Sequence, residues 1–304
     1  MRIPLSKYHG CGNDFILLKA SQVQDWSAEQ IQDFVRSICD RHTGIGADGC
    51  IFAGINPLEM IFFNQDGSRA EMCGNGIRCL AAFLLDEGLV DQTRFEIQTL
   101  AGTRMVQVVE KEGTRLFEIE MGQPDLSAKA VALNRDEPVW NETIHVNDQD
   151  VDLFSLFMNV IHTVTFVDTD PRTMDLSRIG PAIETLPLYT QKTNVNFVHI
   201  LQPDSMECAT WERGAGATLA CGTGCCASVW TAWKEGLCAD QVRVFLKRGF
   251  LDITIHDNGI RMAGPAVRIL KGDYFYEQKA AKRIHRRSDY PLQRRWNGQH
   301  GQDP

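Results

Sequence analysis

Hydrophobic and polar residues alternate in short runs along most of the chain, and a period of two is typical of β-strands with one buried face. The clearest runs lie at 15–18, 60–64, 94–99, 104–109, 116–121, 195–200, 241–245, 251–255 and 268–270. Four segments have helical patterns, at about 28–38, 75–86, 175–184 and 223–235. Many short strands with few helices predict an α+β fold.

The first helix has a clear start. Ser27 and Gln30 stand three residues apart, the spacing of a capping box. Apolar residues then follow at helical spacing, at Ile31, Phe34, Val35 and Ile38. We therefore expect a helix that begins after Ser27 and buries this stripe.

Two other helices are entered through the same short motif. Cys73 precedes Gly-Asn-Gly and Cys221 precedes Gly-Thr-Gly, and a helical pattern follows each turn. The two cysteines lie about half a chain length apart, which favours two similar lobes over an array of small repeats. We predict an N-terminal lobe at 1–125, completed by about 265–278, and a C-terminal lobe at 126–264. The basic segment 279–304 lacks core periodicity and is predicted to be disordered.

Composition narrows the functional class. The chain has 304 residues, 43% of them hydrophobic, and a formal net charge of −8. The main part of the chain has no polybasic stripe and no apolar run of membrane-spanning length, so neither nucleic acid nor a membrane is an expected partner. The N-terminus lacks the apolar core of a signal peptide, and a cytoplasmic location is expected.

The ten cysteines are scattered and show no framework of disulfides. Cys39, Cys79, Cys208 and Cys238 are interpreted as buried core residues. Cys221, Cys225 and Cys226 are close together, but the chain has no second pair of ligands at zinc spacing nearby, and Cys225 and Cys226 would lie on a helix. We expect no metal site.

A thiol at the start of a helix is chemically distinctive. The unpaired backbone N–H groups and the partial positive charge there bind anions and favour the thiolate. Two such thiols, one from each half of the chain, predict an acid on one face of a substrate and a base on the other, which is the arrangement that inverts a stereocentre. The N–H groups expected to converge on a substrate carboxylate belong to Gly74, Asn75, Gly76, Gly222, Thr223 and Gly224. No lysine has the sequence context of a pyridoxal-phosphate site.

Several motifs occur together in one order between residue 1 and about residue 275. They are HGCGNDF at 9–15, DRHTGIGADG at 40–49, FNQDGS at 63–68, MCGNGIRC at 72–79, TNV at 193–195, ERGAG at 212–216, ACGTG at 220–224 and GPAV at 264–267. With this combination, the chain resembles the diaminopimelate epimerase family.

The resemblance implies a cofactor-independent enzyme that interconverts LL- and meso-diaminopimelate for lysine and peptidoglycan synthesis, usually as a homodimer. It implies two pseudo-symmetric, β-barrel-like lobes, each around a central helix, with the active site in the cleft between them. Cys73 and Cys221 would be the paired acid and base. The residues that would line the substrate site are Asn13, Asn64, Asn194, Glu212 and Arg213. Glu212 and Arg213 suit the ammonium and the carboxylate of the distal amino-acid group.

His162 matches the family histidine near the catalytic thiols, and a thiol–histidine pair would favour the thiolate. The family sequence before this histidine is usually Gly-Asn-Pro, so Val160 replaces an asparagine that contacts the distal group of the substrate. Valine cannot form that hydrogen bond, which is worth about 1 kcal/mol. Cys11 replaces a usual apolar residue, and Ala217 replaces a common glutamate.

Three other interpretations stay open. In the first, which Val160 suggests, the chain is a racemase or epimerase of the same fold that acts on another amino acid. In the second, it is a non-catalytic homologue that binds an amino acid or a partner. In a related hypothesis, oxidation joins Cys73 and Cys221 in a disulfide and switches the activity off. Peptide mapping of an oxidised, inactive sample tests that hypothesis.

Overall fold

The computed structural model describes residues 1–277, so the predicted disordered segment at 279–304 lies outside the described residues. Within this range the fold is α+β, with two large sheets and few helices. The helices are α1 (Ala28–Cys39), α2 (Gly74–Asp86), α3 (Gly180–Glu184) and α4 (Gly222–Lys234).

Seventeen strands form the two sheets. In chain order they are β1 (Arg2–Gly10), β2 (Asn13–Lys19), β3 (Gly49–Ile55), β4 (Leu58–Asn64), β5 (Arg94–Ile97), β6 (Arg104–Lys111), β7 (Thr114–Gly122), β8 (Glu142–Val146), β9 (Gln149–Met158), β10 (Val160–Phe166), β11 (Asn194–Gln202), β12 (Ser205–Glu212), β13 (Gly216–Thr218), β14 (Gln241–Leu246), β15 (Gly249–His256), β16 (Gly259–Pro265) and β17 (Val267–Phe275). Every strand predicted from the alternation of residues overlaps one of them.

The first sheet has the order β17-β1-β2-β3-β4. Strand β17 pairs antiparallel with β1, so the end of the described chain returns to its beginning. Helix α2 packs against β1, β2, β3, β7 and β17. Its residues are buried on every side from Asn75 to Leu84, as expected of a helix at the centre of a lobe, and they include the polar Asn75 and the charged Arg78.

The second sheet has the order β5-β6-β7-β16-β15-β14-β12-β11-β10-β9-β8, with β13 beside β12. Helix α4 packs against this sheet, chiefly against β9, β10, β11 and β15. Strands β5 to β7 precede residue 125 but join this sheet through the β7–β16 pairing. The lobe boundary at residue 125 and the barrel-like closure of each lobe stay predictions.

Local sequence explains most helix ends. The Ser27 side chain accepts a hydrogen bond from Gln30 N, and Gln30 returns one to Ser27 N, so the predicted capping box is confirmed. The single helix expected at 175–184 is wrong, because a 3₁₀ turn at Leu176–Arg178 is separated from the short α3. Proline in the first turn of a helix lacks an N–H donor, and Pro181 therefore suits a new helix start rather than the middle of one.

No helix among residues 1–277 is both long enough and apolar enough to cross a membrane.

Candidate functional site

The two motif cysteines occupy equivalent positions. Cys73 and Cys221 both have extended backbone and immediately precede α2 and α4, which are 13 residues long. A Cβ on Gly74 would lie 3.1 Å from Met262 Cε, and one on Gly222 would lie 2.8 Å from Met262 Sδ. The Met262 side chain on β16 therefore packs against the first residue of both helices, and glycine is needed for this close approach.

The two helix starts open into one cavity of about 900 Å³. The predicted site residues line it except His162 and the glycines Gly76 and Gly224. The lining residues predicted from sequence are Asn13, Asn64, Cys73, Gly74, Asn75, Asn194, Glu212, Arg213, Cys221, Gly222 and Thr223. Val160 and Ala217, the two departures from the family pattern, line the same cavity.

A set of amides surrounds the first thiol. Cys73 Sγ lies 3.7 Å from Asn13 Oδ1, and Asn75 Nδ2 donates to the same oxygen over 3.2 Å. Asn75 Nδ2 also donates to the carbonyl of Ala220, just before the second thiol. Asn13 Nδ2 in turn donates to Asp48 Oδ2 over 2.6 Å. Asn75 thus joins the turn of α2 to the turn of α4.

A chain of hydrogen bonds leads to the second thiol. Asn196 Nδ2 donates to the Thr163 carbonyl and lies 3.1 Å from His162 Nδ1, so Nδ1 accepts and the proton is on Nε2. His162 Nε2 lies 3.0 Å from Thr223 Oγ1 and donates to it. The Thr223 hydroxyl is then free to donate to Cys221 Sγ, 3.4 Å away. These hydrogen bonds therefore direct the Thr223 hydroxyl, as a donor, toward Cys221 Sγ.

The cavity lining includes residues of both charges, among them Glu212 and Arg213. Glu212 Oε1 accepts a hydrogen bond of 2.6 Å from the Thr218 hydroxyl. The backbone N–H of Arg213 donates to Asn194 Oδ1, and its guanidinium donates to the Gln191 carbonyl. The cavity lining therefore includes a carboxylate and a guanidinium, the two charges that a zwitterionic group requires.

Comparisons with known proteins identify the family of the chain. The model of the diaminopimelate epimerase family matches residues 5–127 and 154–269. The chain belongs to this family. It is 41% identical over 281 residues to a diaminopimelate epimerase of Synechocystis, covering 90% of the chain and 99% of the relative. It is 37% identical over 280 residues to one of Methanothermobacter thermautotrophicus, covering 89% and 98%.

Solved structures of low identity share the fold of this diaminopimelate epimerase family member. A phenazine biosynthesis protein of the PhzF family from Bacillus anthracis has a TM-score of 0.64 at 16% identity, covering 91% of this chain and all of the other. A hydroxyproline epimerase from Agrobacterium vitis has a TM-score of 0.62 at 12% identity, covering 90% and 91%.

The pKa values of the two thiols differ from what the sequence predicted. Burial raises the pKa of both Cys73 and Cys221, and the negative charge of Glu212 raises both further. Backbone N–H groups at the helix starts lower the pKa of each thiol, but less than burial raises it. The expected low thiol pKa is therefore wrong for the protein without substrate, because desolvation outweighs the helix terminus.

His162 also departs from expectation. Burial lowers the pKa of its imidazole to about 3, so the ring is neutral. Its two nitrogens face Thr223 and Asn196, so the direct thiol–histidine pair is replaced by a contact through Thr223. A neutral ring acts on Cys221 by orienting a hydroxyl, not by supplying a positive charge.

Some residues of the site escaped the sequence analysis. Asp48, Thr218 and Arg104 line the cavity, and Asp48 and Thr218 hold Asn13 and Glu212. The motif at 40–49 contained Asp48, and its acidic group after a glycine-rich turn was the available signal. Nothing in the local sequence marks Arg104 or Thr218.

Cys11 lies outside the cavity lining. It is buried, has a φ of 56°, and its Sγ lies 3.4 Å from the Phe250 carbonyl. Cys225 and Cys226 are on α4 as expected. Among residues 1–277, no group of three or more His, Cys, Asp or Glu side chains is placed to hold a metal ion.

Proposed function

We propose that this chain interconverts LL- and meso-diaminopimelate by proton transfer at Cα between Cys73 and Cys221. The observation that carries the proposal is the opening of two equivalent thiol-bearing helix starts into one cavity that also holds Glu212 and Arg213. The family and the identity to named epimerases support the same substrate.

The reaction needs one thiolate and one thiol. The thiolate removes the Cα proton from one face, and the opposite thiol gives a proton to the other face, so the two sulfurs exchange protonation states and configuration is inverted. In the reverse direction the roles are swapped. No atom other than these two protons is transferred.

The carbanion is stabilised by the protein itself in this proposal. The first two residues of α2 and of α4 line the cavity, and the two helix termini favour negative charge there. The substrate α-carboxylate between them would take up the developing charge as an enediolate. Glu212 and Arg213 would bind the distal ammonium and carboxylate.

A second candidate substrate follows from Val160. This side chain lines the cavity and offers no hydrogen bond, so the far end of the substrate has one polar contact fewer than the family pattern provides. An amino acid with a less polar side chain is the alternative that this observation favours.

Deuterium incorporation at Cα in D₂O, followed by NMR with reduced protein and no added cofactor, tests the proposal. Rapid exchange is expected in LL-diaminopimelate and not in a panel of ordinary L-amino acids. Exchange in another amino acid instead would establish the alternative substrate. The absence of exchange in every compound would contradict the proposed activity.

Alanine variants test the two-thiol mechanism. Cys73→Ala and Cys221→Ala are each expected to abolish epimerisation while the fold is kept. Cys79→Ala and Cys226→Ala are matched controls, because these buried thiols lie on the same helices and do not line the cavity. Near-normal turnover in either of the first two variants would exclude the mechanism.

We also propose a homodimer formed through β17. This strand is at the edge of its sheet, and within the described part of the chain its outer side has no partner. Val267, Ile269 and Phe275 expose large apolar side chains. An apolar sheet edge favours pairing with a second copy around a two-fold axis. Ile269→Lys should convert dimer to monomer in sedimentation, whereas Leu237→Lys, exposed elsewhere, should not.

We propose a cytoplasmic location for this enzyme. All ten cysteines are unpaired, and the proposed mechanism requires Cys73 and Cys221 to stay reduced. A reducing compartment meets this requirement.

A further inference from the structure

Arg78 is a buried cation close to the catalytic cavity that the proposed mechanism does not use. It lies on α2, one turn after Gly74, and its exposed fraction is 0%. Its Nη2 donates to Asn75 Oδ1 over 2.8 Å, and its Nη1 donates to the Gly74 carbonyl over 3.2 Å. Its Nε has no hydrogen-bond partner. Within residues 1–277, the guanidinium forms no ion pair with a carboxylate.

The chain makes room for this guanidinium on both sides. A Cβ on Gly10 of β1 would lie 2.9 Å from Arg78 Nη2, and one on Gly264 of β16 would lie 3.0 Å from Nε. Met262 Sδ closes a third side, 3.9 Å from Nη1. Gly10 and Gly264 belong to two of the sequence motifs, yet neither lines the cavity. The contact with Arg78 is the tightest one at Gly10, whereas an added Cβ at Gly264 would first meet Leu251 Cδ2 at 2.4 Å.

A buried arginine without a countercharge is costly. Guanidinium is not deprotonated in proteins, and removing a charge from water costs several kcal/mol unless it is compensated. The negative charges that the reaction would bring close to Arg78 are the Cys73 thiolate and a substrate carboxylate at the start of α2. Both arise only when the site is at work.

We propose that Arg78 is a positioning residue for the first thiol: it fixes the Gly74–Asn75 turn and supplies the positive charge that balances a thiolate and a carboxylate at that turn. The inference rests on the proposed function. The two hydrogen bonds of Arg78 go to the two residues that follow Cys73, and the orientation of Asn75 determines its contacts with Asn13 and Ala220.

Two charged groups act in opposite directions on Cys73. Burial is the main cause that raises the pKa of the thiol, Glu212 on β12 raises it further, and Arg78 on α2 lowers it. Removal of the Arg78 charge would leave burial and Glu212 without this opposition, although the N–H groups of Asn75 and Gly76 would remain. The thiolate would then form only at higher pH.

The experiment measures the pH dependence of Cys73 alkylation by iodoacetamide in full-length protein, with the modified site located by peptide mass spectrometry. In the unchanged chain, trypsin releases Cys73 in the peptide 70–78, which has no other cysteine. Arg78→Met removes the charge at similar length, and Arg78→Lys keeps it. Cys79→Ala is the control for a destabilised α2, because Cys79 is fully buried on the same helix.

Arg78→Met is expected to move the alkylation midpoint upward, with about a two- to threefold loss of thiolate at a fixed lower pH. It should also lower kcat by more than it raises KM. Arg78→Lys should restore the midpoint, and Cys79→Ala should change the melting temperature alone. Arg78→Gln serves as the neutral variant if Arg78→Met does not fold.

An unchanged midpoint in a folded neutral variant would overturn the inference and leave Arg78 with a packing role. Equal midpoints in the neutral variants and in Arg78→Lys would do the same. These results stay distinct from a failure of the proposed function, because alkylation needs no substrate and is measured even if the unchanged chain does not epimerise diaminopimelate.

Discussion

The hydroxyl of Thr223 is the last donor in the chain of hydrogen bonds that reaches Cys221, and Thr223→Val removes it with little change of shape. The substitution breaks the 3.0 Å contact with His162 Nε2 and the 3.4 Å contact with Cys221 Sγ. We expect two separate consequences, one for stability and one for the reactivity of the thiol.

The structure gives a magnitude for each. His162 is fully buried and neutral, so its Nε2–H would lose its partner, at a cost of about 1–3 kcal/mol in the free energy of unfolding. A hydrogen bond to a charged group contributes about 1.5–3 kcal/mol, so loss of the donor should raise the pKa of Cys221 further. The thiolate population at neutral pH, and with it kcat, should fall about 10- to 100-fold.

The assay combines urea unfolding, the pH midpoint of Cys221 alkylation and steady-state epimerisation. Thr231→Val is the matched control, since Thr231 is buried on the same helix and its hydroxyl bonds only the Ala227 carbonyl one turn back. The control should keep activity and the alkylation midpoint. Equal midpoints in Thr223→Val and the unchanged chain would refute the role of the hydroxyl, whatever happens to stability.

Other changes test the charges and the packing around the thiols. Glu212→Gln should lower the pKa of both Cys73 and Cys221, so alkylation at neutral pH becomes faster while substrate KM rises; slower alkylation would contradict the charge effect. Gly224→Ala would place a Cβ 2.2 Å from the buried Asn196 Oδ1, and we expect a loss of about 1–3 kcal/mol in urea unfolding, with turnover reduced. Eight thiols have a pKa raised chiefly by burial. These thiols stay protonated in the folded state, whereas in the unfolded chain they lose their protons above about pH 8.5. The free energy of unfolding should therefore fall as the pH rises beyond that point. Constant stability up to about pH 10 would argue against this effect.

The helices at the centre of the fold were predictable because local chemistry determines where they begin. A cysteine followed by Gly-x-Gly and an apolar run predicted α2 and α4 within two residues of their true starts. The capping box predicted α1 in the same way. The prediction of one helix at 175–184 was wrong because Pro181 lies in the first turn of a new helix, and the spacing of apolar residues takes no account of proline.

Several strands were harder to find from the chain alone. Strand β3 is almost continuously buried and β10 lies parallel to β11, so neither shows an alternation of apolar and polar residues. We expect residues from about 265 to 278 to complete the N-terminal lobe, but no local pattern indicates that β17 pairs with β1 or in which register. Sheet order therefore came from the structure.

In the candidate site, too, some residues could be predicted from the sequence and others could not. Residues in named motifs, such as Cys73, Cys221 and Glu212, were found because their chemistry is visible in the sequence. Their supporting contacts were not, because Thr218 and Asn196 come from strands whose neighbours are decided by tertiary packing. A side chain that acts through another side chain has no recognisable motif in the sequence around it.

The pKa values of the thiols show why motif chemistry alone gave the wrong sign. A helix start lowers a thiol pKa, but Cys73 and Cys221 are also removed from water and face Glu212, and both of these effects raise it. The balance is a difference between opposing contributions that depend on the whole site. A two-base reaction needs only one of the two sulfurs ionised at a time. In the proposed mechanism, the Arg78 charge that is already in place partly offsets burial and Glu212 at Cys73.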